Sequence, residues 1–323
     1  MIAHSGEYRK KNGQRGYVMM NNFIFENKTK VYFGKGGVKE YLGGLLANFG
    51  ETVMLAYDGG SIKRNGVYDE IMGILNAQGK CVVEFSGIMS NPTYAKVQEG
   101  AKLARENHVA LILAAGGGSV FDCCKVISGA FDTLSHAMET YFGKPDENNL
   151  SDDINEAVMR SVIRNIRILL TDPENYDARS EPAQASAMAE NGVLKIGKVT
   201  DFQAHQIEHQ LGAYTNCNHG AGLAVIHPVL YRHIYKSGAA RFARFAQNVW
   251  GIAPKGSDEE TAAAGIDALA AFIKEIGLPT TFTELGIPAG TDFRAIADST
   301  NVTAGCCKKL THDEIYEILQ ECL

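Results

Sequence analysis

The sequence predicts an α/β domain built on a parallel sheet, followed by an all-α domain. Two observations carry this. Three short, continuously apolar runs, at 52–57, 80–88 and 109–119, are separated by helical patterns. From about Phe131 the texture changes to helix after helix, with no strand-like alternation of useful length. Strands that are apolar throughout suit a sheet covered by helices on both faces, joined by crossover helices.

Taken in order, residues 1–20 (MIAHSGEYRKKNGQRGYVMM) are polar and contain glycine, with no apolar stretch behind their basic residues. They read as a flexible extension and not as a secretory signal, with Met19 or Met20 as the start of the folded unit. TVMLAY (52–57) ends in Asp58-Gly59-Gly60, as a buried strand ends in a turn. A helical pattern from Tyr68 to Leu75 leads to the second strand, KCVVEFSGI (80–88). Another helix, Tyr94 to Asn107, leads to VALILAAGGGS (109–119), which stops in three glycines. Residues 21–130 therefore form an α/β domain and residues 131–323 a helical one. In the latter, helices are predicted at 132–142, 150–170, 177–197, 199–213, 239–249, 258–276 and 312–322. Breaks fall at Asp172-Pro173, Gly212, His227-Pro228, Gly251, Gly277-Leu278-Pro279 and Pro288.

Composition narrows the function classes. The chain has 323 residues, 45% of them hydrophobic, and a net charge of −6. No clustered basic face suggests nucleic acid, and no apolar run is long enough to span a bilayer. The seven cysteines (Cys81, Cys123, Cys124, Cys217, Cys306, Cys307, Cys322) include no CxxC pair. That pattern suits reduced thiols in a cytoplasmic protein better than a disulfide framework or a zinc finger.

Five residues stand out by spacing. Asp132 and His136 are four apart in FDTLSHAMETYF, so on a helix they share a face. His205 and His209 repeat that spacing in DFQAHQIEHQLG, and His219 follows in NCNHGAG. Imidazoles and one carboxylate suit Fe²⁺ or Zn²⁺. One helical His pair is often mere surface or core. Two such pairs with a further histidine, after a nucleotide-type domain, point to ligation. His4, His108, His227, His233 and His312 have no partner in the sequence and receive no role.

Two glycine-rich turns suit a dinucleotide. AAGGGSVFDCCK (114–125) follows a strand and opens a helix. Its glycines let the backbone approach a pyrophosphate at a helix N-terminus, where Ser119 adds a hydroxyl. It is not GxGxxG, and a tight ligand-free turn is the other reading. In AYDGGSIKRNGVYDE (56–70), Asp58 would grip a ribose 2′-hydroxyl, as for NAD(H). The small residues that follow, with Lys63 and Arg64, would suit the 2′-phosphate of NADP(H) instead, and a solvated turn fits equally.

Together, KVYFGKGG (30–37), DGGSIKRNGVYD (58–69), SNPTY (90–94), GGGSVFDCCK (116–125), FDTLSHAMETYF (131–142) and HQIEHQLGAYTNCNHGAGLAVIHP (205–228) resemble the NADPH-dependent butanol-dehydrogenase branch of the iron-containing alcohol dehydrogenases. The likeness runs from about Asn21 to the C-terminus. It implies a truncated Rossmann-like parallel-sheet domain followed by a helical metal-binding domain, a dehydroquinate synthase-like architecture. It implies Asp132, His136, His205 and His219 as ligands of Fe²⁺ or Zn²⁺, and His209 as a catalytic histidine near nicotinamide and substrate. Gly59, Gly60, Ser61, Gly117, Gly118, Ser119 and Asp122 would bind NADP(H), or less readily NAD(H). The implied substrate is an aldehyde or primary alcohol such as butanal or butanol, and the implied assembly a cytoplasmic homodimer.

The chain departs from the family at one place. A long segment there separates the GGGS helix from the Asp-x3-His helix and supplies further strands and a loop against the nicotinamide. Here Val126–Ala130 runs directly into Phe131-Asp132, like an internal deletion between Ala130 and Phe131. Loss of those strands would expose apolar patches. The two helices would merge or hinge at Gly129. The runner-up reading is a catalytically impaired remnant that still binds a divalent metal and nucleotide. A third is a glycerol-dehydrogenase-like or cyclising sugar-phosphate enzyme.

Overall fold

The computed structural model describes residues 24–26, 30–32, 34–58, 60–88, 94–116, 123–144, 148–303 and 307–323; for Ser61, Tyr94 and 123–128 the backbone alone is described. The chain forms two compact units, one within 28–126 and one within 127–323, the latter also taking in the described residues 24–26.

The smaller unit opens with α1 (Gly37–Leu46), followed by β1 (Thr52–Tyr57), α2 (Ser61–Arg64), α3 (Val67–Ala77), β2 (Cys81–Phe85), α4 (Tyr94–Glu106) and β3 (Leu111–Ala115). The strands run parallel in the order β2-β1-β3, with Val53 opposite both Val82 and Leu111. The three expected strands are thus present: β1 spans the whole of its apolar run, while β2 and β3 are shorter than theirs. α1 was not expected. It starts after Gly36, which is held in the left-handed region at φ 79.

The period of two along β1 sorts its side chains between the faces. Val53, Leu55 and Tyr57 pack with Leu46 of α1 and with Ile71 and Leu75 of α3. Met54 and Ala56 pack with Phe85 and with Leu103 of α4. Gly100 lets α4 come this close, because a Cβ there would sit 2.8 Å from the Phe85 ring. β1 is buried nearly throughout while β2 and β3 are only half covered, and Ile112 is 59% exposed.

The larger unit is helical: α5 (Cys123–Tyr141), α6 (Leu150–Thr171), α7 (Tyr176–Glu190), α8 (Gln203–Thr215), α9 (His219–Ile234), α10 (Ala239–Trp250), α11 (Asp258–Glu275), α12 (Phe282–Leu285), α13 (Phe293–Ser299) and α14 (His312–Glu321). Short 3₁₀ turns occupy Val193–Lys195 and Tyr235–Gly238. Gly129 lies inside α5, so the backbone merges the two expected helices and does not hinge there.

Two helix limits and one whole helix depart most from expectation. α7 stops at Glu190 instead of running to 197, because Asn191 is followed by Gly192 in the left-handed region at φ 88. α8 starts at Gln203 instead of 199, because Phe202 is itself left-handed. α9 was missed, and it passes straight through the His227-Pro228 break. It is buried on almost every side, so packing outweighs the glycines and the proline. Asn218 caps it, accepting from the Ala221 N–H at 3.0 Å.

One core joins these helices. Phe131, Leu134, Met138 and Tyr141 of α5 belong to it, as do Met159 and Ile166 of α6, Ile207 and Leu211 of α8, and Leu223 and Ile226 of α9. The segment entering α8 is pinned by a buried ion pair between Lys198 and Asp152, with Arg241 2.8 Å from the second Asp152 oxygen. Among the described residues no helix is long and apolar enough to cross a membrane.

Candidate metal centre

α5 brings Asp132 and His136 to one face a single turn apart, α8 contributes His205, and His219 is the first residue of α9. These side chains converge. The Nε2 atoms of His136, His205 and His219 lie 3.6, 3.5 and 3.5 Å from Asp132 Oδ1. Among the described residues, Asp132, His205 and His219 each offer a ligand atom within 4.8 Å of the others. His136 Nε2 stands 3.1 Å from His205 Nε2 and 2.9 Å from Oε1 of the half-exposed Glu190. Asp132 Oδ1 is buried and accepts no hydrogen bond. A buried carboxylate oxygen without a donor, ringed by three imidazole nitrogens, is a place that a divalent cation fits. The donor set suits iron or zinc.

Two carboxylates behind the histidines went unread in the sequence. Glu139, buried on α5, takes the Nδ1–H of His205. Its oxygens also accept from the Ala204 N–H at 2.6 Å and the His205 N–H at 3.3 Å, at the start of α8. Glu139 thus caps α8 and fixes its first histidine at once. Glu208, buried on α8, takes Nδ1–H of His219. Gly222 of α9 makes room for it, since a Cβ there would meet Glu208 Cγ and Oε1 at 3.0 Å. With each Nδ1–H engaged, Nε2 is left as the ligand atom. A signal existed: Glu139 is three residues beyond His136, and Glu208 three beyond His205, on the same helical faces.

The electrostatics point the same way. Burial opposes charge on His205 and His219, yet Asp132 and Glu139 carry the first up to about 9, and Asp132 and Glu208 the second up to about 10. Burial and the neighbouring His205 push His136 down to about 4. Burial would lift Asp132, but His205 and His219 hold it far below the usual carboxylate range. Burial raises Glu139 against the pull of His205. The cluster draws positive charge, which protons supply until a metal displaces them.

His209 is exposed, with its ring stacked on His219 at 5.4 Å and 5.9 Å from the His205 ring. Burial and His219 lower its pKa, which favours the neutral form. His227, assigned no role from sequence, is fully buried with Nε2 2.6 Å from Ser135 Oγ, tying α5 to α9.

Of the expected cofactor residues, Gly59, Gly117, Gly118, Ser119 and Asp122 lie outside the described residues, as do Asn91 to Thr93 of SNPTY. Gly60 takes φ 104 and Ser61 begins α2. Lys63 stands 3.5 Å from Glu84 and over the rings of Tyr57 and Tyr68, at 5.1 and 4.4 Å. A cleft of about 380 Å³ in the α/β unit is lined by α1, by Ile62 and Asn65 of one turn, and by Ala115-Gly116 at the other.

The chain is similar to known proteins over most of its length. Residues 126–323 match the Fe-containing alcohol dehydrogenase family, C-terminal, and residues 28–157 match the iron-containing alcohol dehydrogenase family. The probable NADH-dependent butanol dehydrogenase 2 of Bacillus subtilis (strain 168) is 30% identical over 351 positions, covering 83% of this chain and 90% of that protein. The NADPH-dependent aldehyde reductase YqhD of Escherichia coli (strain K12) is 26% identical, covering 83% and 90%. The crystal structure of NADH-dependent butanol dehydrogenase A from Thermotoga maritima superposes with a TM-score of 0.86 at 26% identity, covering 95% of this chain and all of that one.

Proposed function

Since the chain belongs to the iron-containing alcohol dehydrogenase family, we propose that it exchanges a hydride between NADP(H) or NAD(H) and an aldehyde or primary alcohol such as butanal or butanol. The observation that carries this is Asp132 Oδ1, without a hydrogen bond and ringed by three imidazole nitrogens. Asp132, His136, His205 and His219 would hold iron or zinc, which supplies Lewis-acid polarisation of a carbonyl oxygen.

The chain's own residues do the rest. Glu139 and Glu208 hold two imidazoles in the ligating tautomer. His209, exposed and favouring the neutral form, is positioned to pass a proton between the site and solvent. The cleft bordered by both glycine-rich turns supports a dinucleotide, with Gly59, Gly60, Ser61, Gly117, Gly118, Ser119 and Asp122 as its cradle. The finer choice of NADP(H) rests on Lys63 and Arg64. Lys63 is engaged with Glu84 and two tyrosines, which leaves Arg64 to meet a 2′-phosphate.

The 351 aligned positions exceed the chain's 323 residues, so the alignment leaves gaps in this chain, which supports a lost segment without locating it. Family membership favours a working dehydrogenase over an impaired remnant. A homodimer is proposed on the resemblance alone, and light scattering tests it. The function is tested by oxidation of NADPH and of NADH with butanal, after anaerobic loading with Fe²⁺ or Zn²⁺. Metal-dependent turnover that His205→Ala abolishes is the expected result. A folded, metal-loaded chain that turns over with neither dinucleotide overturns it.

A further inference from the structure

Phe202 has a backbone that an aromatic residue rarely adopts. It sits at φ 58, ψ 27, in the left-handed region, as the N-cap of α8, and its side chain caps nothing. For a bulky side chain that conformation is an outlier, kept only where the surroundings impose it. Both neighbours impose it. Asp201, buried, accepts from Gln203 Nε2 at 2.7 Å and from Thr303 Oγ1 at 2.8 Å. Gln203, also buried, donates to the Lys308 carbonyl at 3.1 Å and accepts from the Leu310 N–H at 3.1 Å. The capping that Phe202 cannot perform is done by Glu139.

The strain places one ring. Phe202 lies 5.3 Å from the His136 ring at 63° and 5.0 Å from the His205 ring at 57°, with Lys195 Nζ 4.8 Å over its face. The three histidines differ in what orients them. His205 has Glu139 on Nδ1 and His219 has Glu208. The Nδ1 of His136 is buried and has no hydrogen-bond partner among the described residues. On the Nδ1 side its ring meets only packing, with Phe202 edge to face, and the half-exposed Glu190 approaches the opposite, ligating Nε2 at 2.9 Å.

We infer that Phe202 is a positioning residue, whose strained backbone holds an aromatic wall that orients His136 for the metal in place of the missing carboxylate. This rests on the metal reading above. The ring is the functional part and the left-handed backbone is what delivers it. Asparagine tolerates that backbone without a ring, and tyrosine keeps the ring.

The test is Co²⁺ binding by the full chain, read by equilibrium titration and by the visible d–d spectrum, with melting of the metal-free chain as a folding control. Phe202→Asn should melt no lower than the parent, yet bind Co²⁺ about 10-fold more weakly with an altered spectrum, the size of effect that a lost orienting partner has. Phe202→Tyr should restore affinity and spectrum. If Phe202→Asn leaves both unchanged in a parent that binds Co²⁺, the inference is overturned while the metal reading stands. If the parent binds no Co²⁺, the metal reading fails and takes the inference with it.

Discussion

The two units carry their chemistry on different kinds of backbone. The helical unit presents its candidate ligands on α5, α8 and the first residue of α9, each backed by buried packing. The α/β unit carries its described candidates, Gly60 and Ser61, where β1 leads into α2, beside strands that are half covered. A helix fixes which residues share a face through spacing alone. A turn fixes nothing until its dihedral angles and neighbours are known. The contrast predicts that substitutions in the helical site act all or none, while those on the turns tune.

The largest effect should come from His205→Ala, which removes the histidine that meets Asp132, His136 and Glu139 at once. Metal retained after loading should fall below about a tenth of an equivalent per chain, with turnover reduced by more than the ~100-fold that loss of a supporting partner costs. Metal analysis by mass spectrometry checks it. Full retention of metal would mean that the cluster is a buried polar network and not a binding site.

One chemical change made in both units sharpens the contrast. Glu139→Gln keeps an acceptor for α8 but removes the charge opposite His205, and metal affinity should drop ~10–100-fold. Glu84→Gln in β2 loses the acceptor charge for Tyr57 and Tyr68, at 2.5 and 2.8 Å, on a side chain that is 42% exposed. Stability there should change by less than about 1 kcal/mol, because solvent screens the loss. Chemical denaturation and metal titration of both variants distinguish them. Equal effects on metal affinity would erase the division.

A smaller effect is set by pH. In the metal-free fold His205 and His219 titrate at about 9 and 10, against ~6.5 when unfolded. Their stabilisation is complete below pH ~6.5 and is lost as pH rises through those values. His136, lowered to about 4, acts oppositely and subtracts stability as pH falls below ~6.5. The metal-free chain should therefore melt highest between about pH 6 and 7 and lose stability toward pH 10. Bound metal should remove the alkaline loss, and its affinity should climb with pH as it displaces those protons. A melting temperature flat from pH 6.5 to 10 in the metal-free chain contradicts the sign of both shifts.

What was legible follows from the same contrast. The Asp132–His136 and His205–His209 pairs were visible as four-residue spacings, and the structure brings Asp132, His136, His205 and His219 together. Glu139 and Glu208 were readable by the same rule, but a glutamate on a helix is ordinarily a solvated one, and only tertiary packing buries these. Phe202 carried no signal, because nothing in DFQAH announces a left-handed residue. Helix α9 was hidden behind Gly220, Gly222 and Pro228, which local propensity counts against and burial overrides.

The smallest effect belongs to the turn after β1 and tests whether turn chemistry tunes cofactor choice at all. With Lys63 held by Glu84 and the two tyrosines, Arg64 is the cation left for a 2′-phosphate. An exposed charge–phosphate contact of this kind contributes about 1 kcal/mol or less. Arg64→Ala should accordingly raise the KM for NADPH several-fold, leave the KM for NADH unchanged, and leave kcat with either alone. Lys63→Ala should move neither KM selectively and instead loosen the Tyr57–Glu84–Tyr68 cluster. If Lys63→Ala produces the selective loss and Arg64→Ala does not, the lysine turns outward to meet the cofactor. The turn would then be a mobile recognition element, while the helical site is preformed.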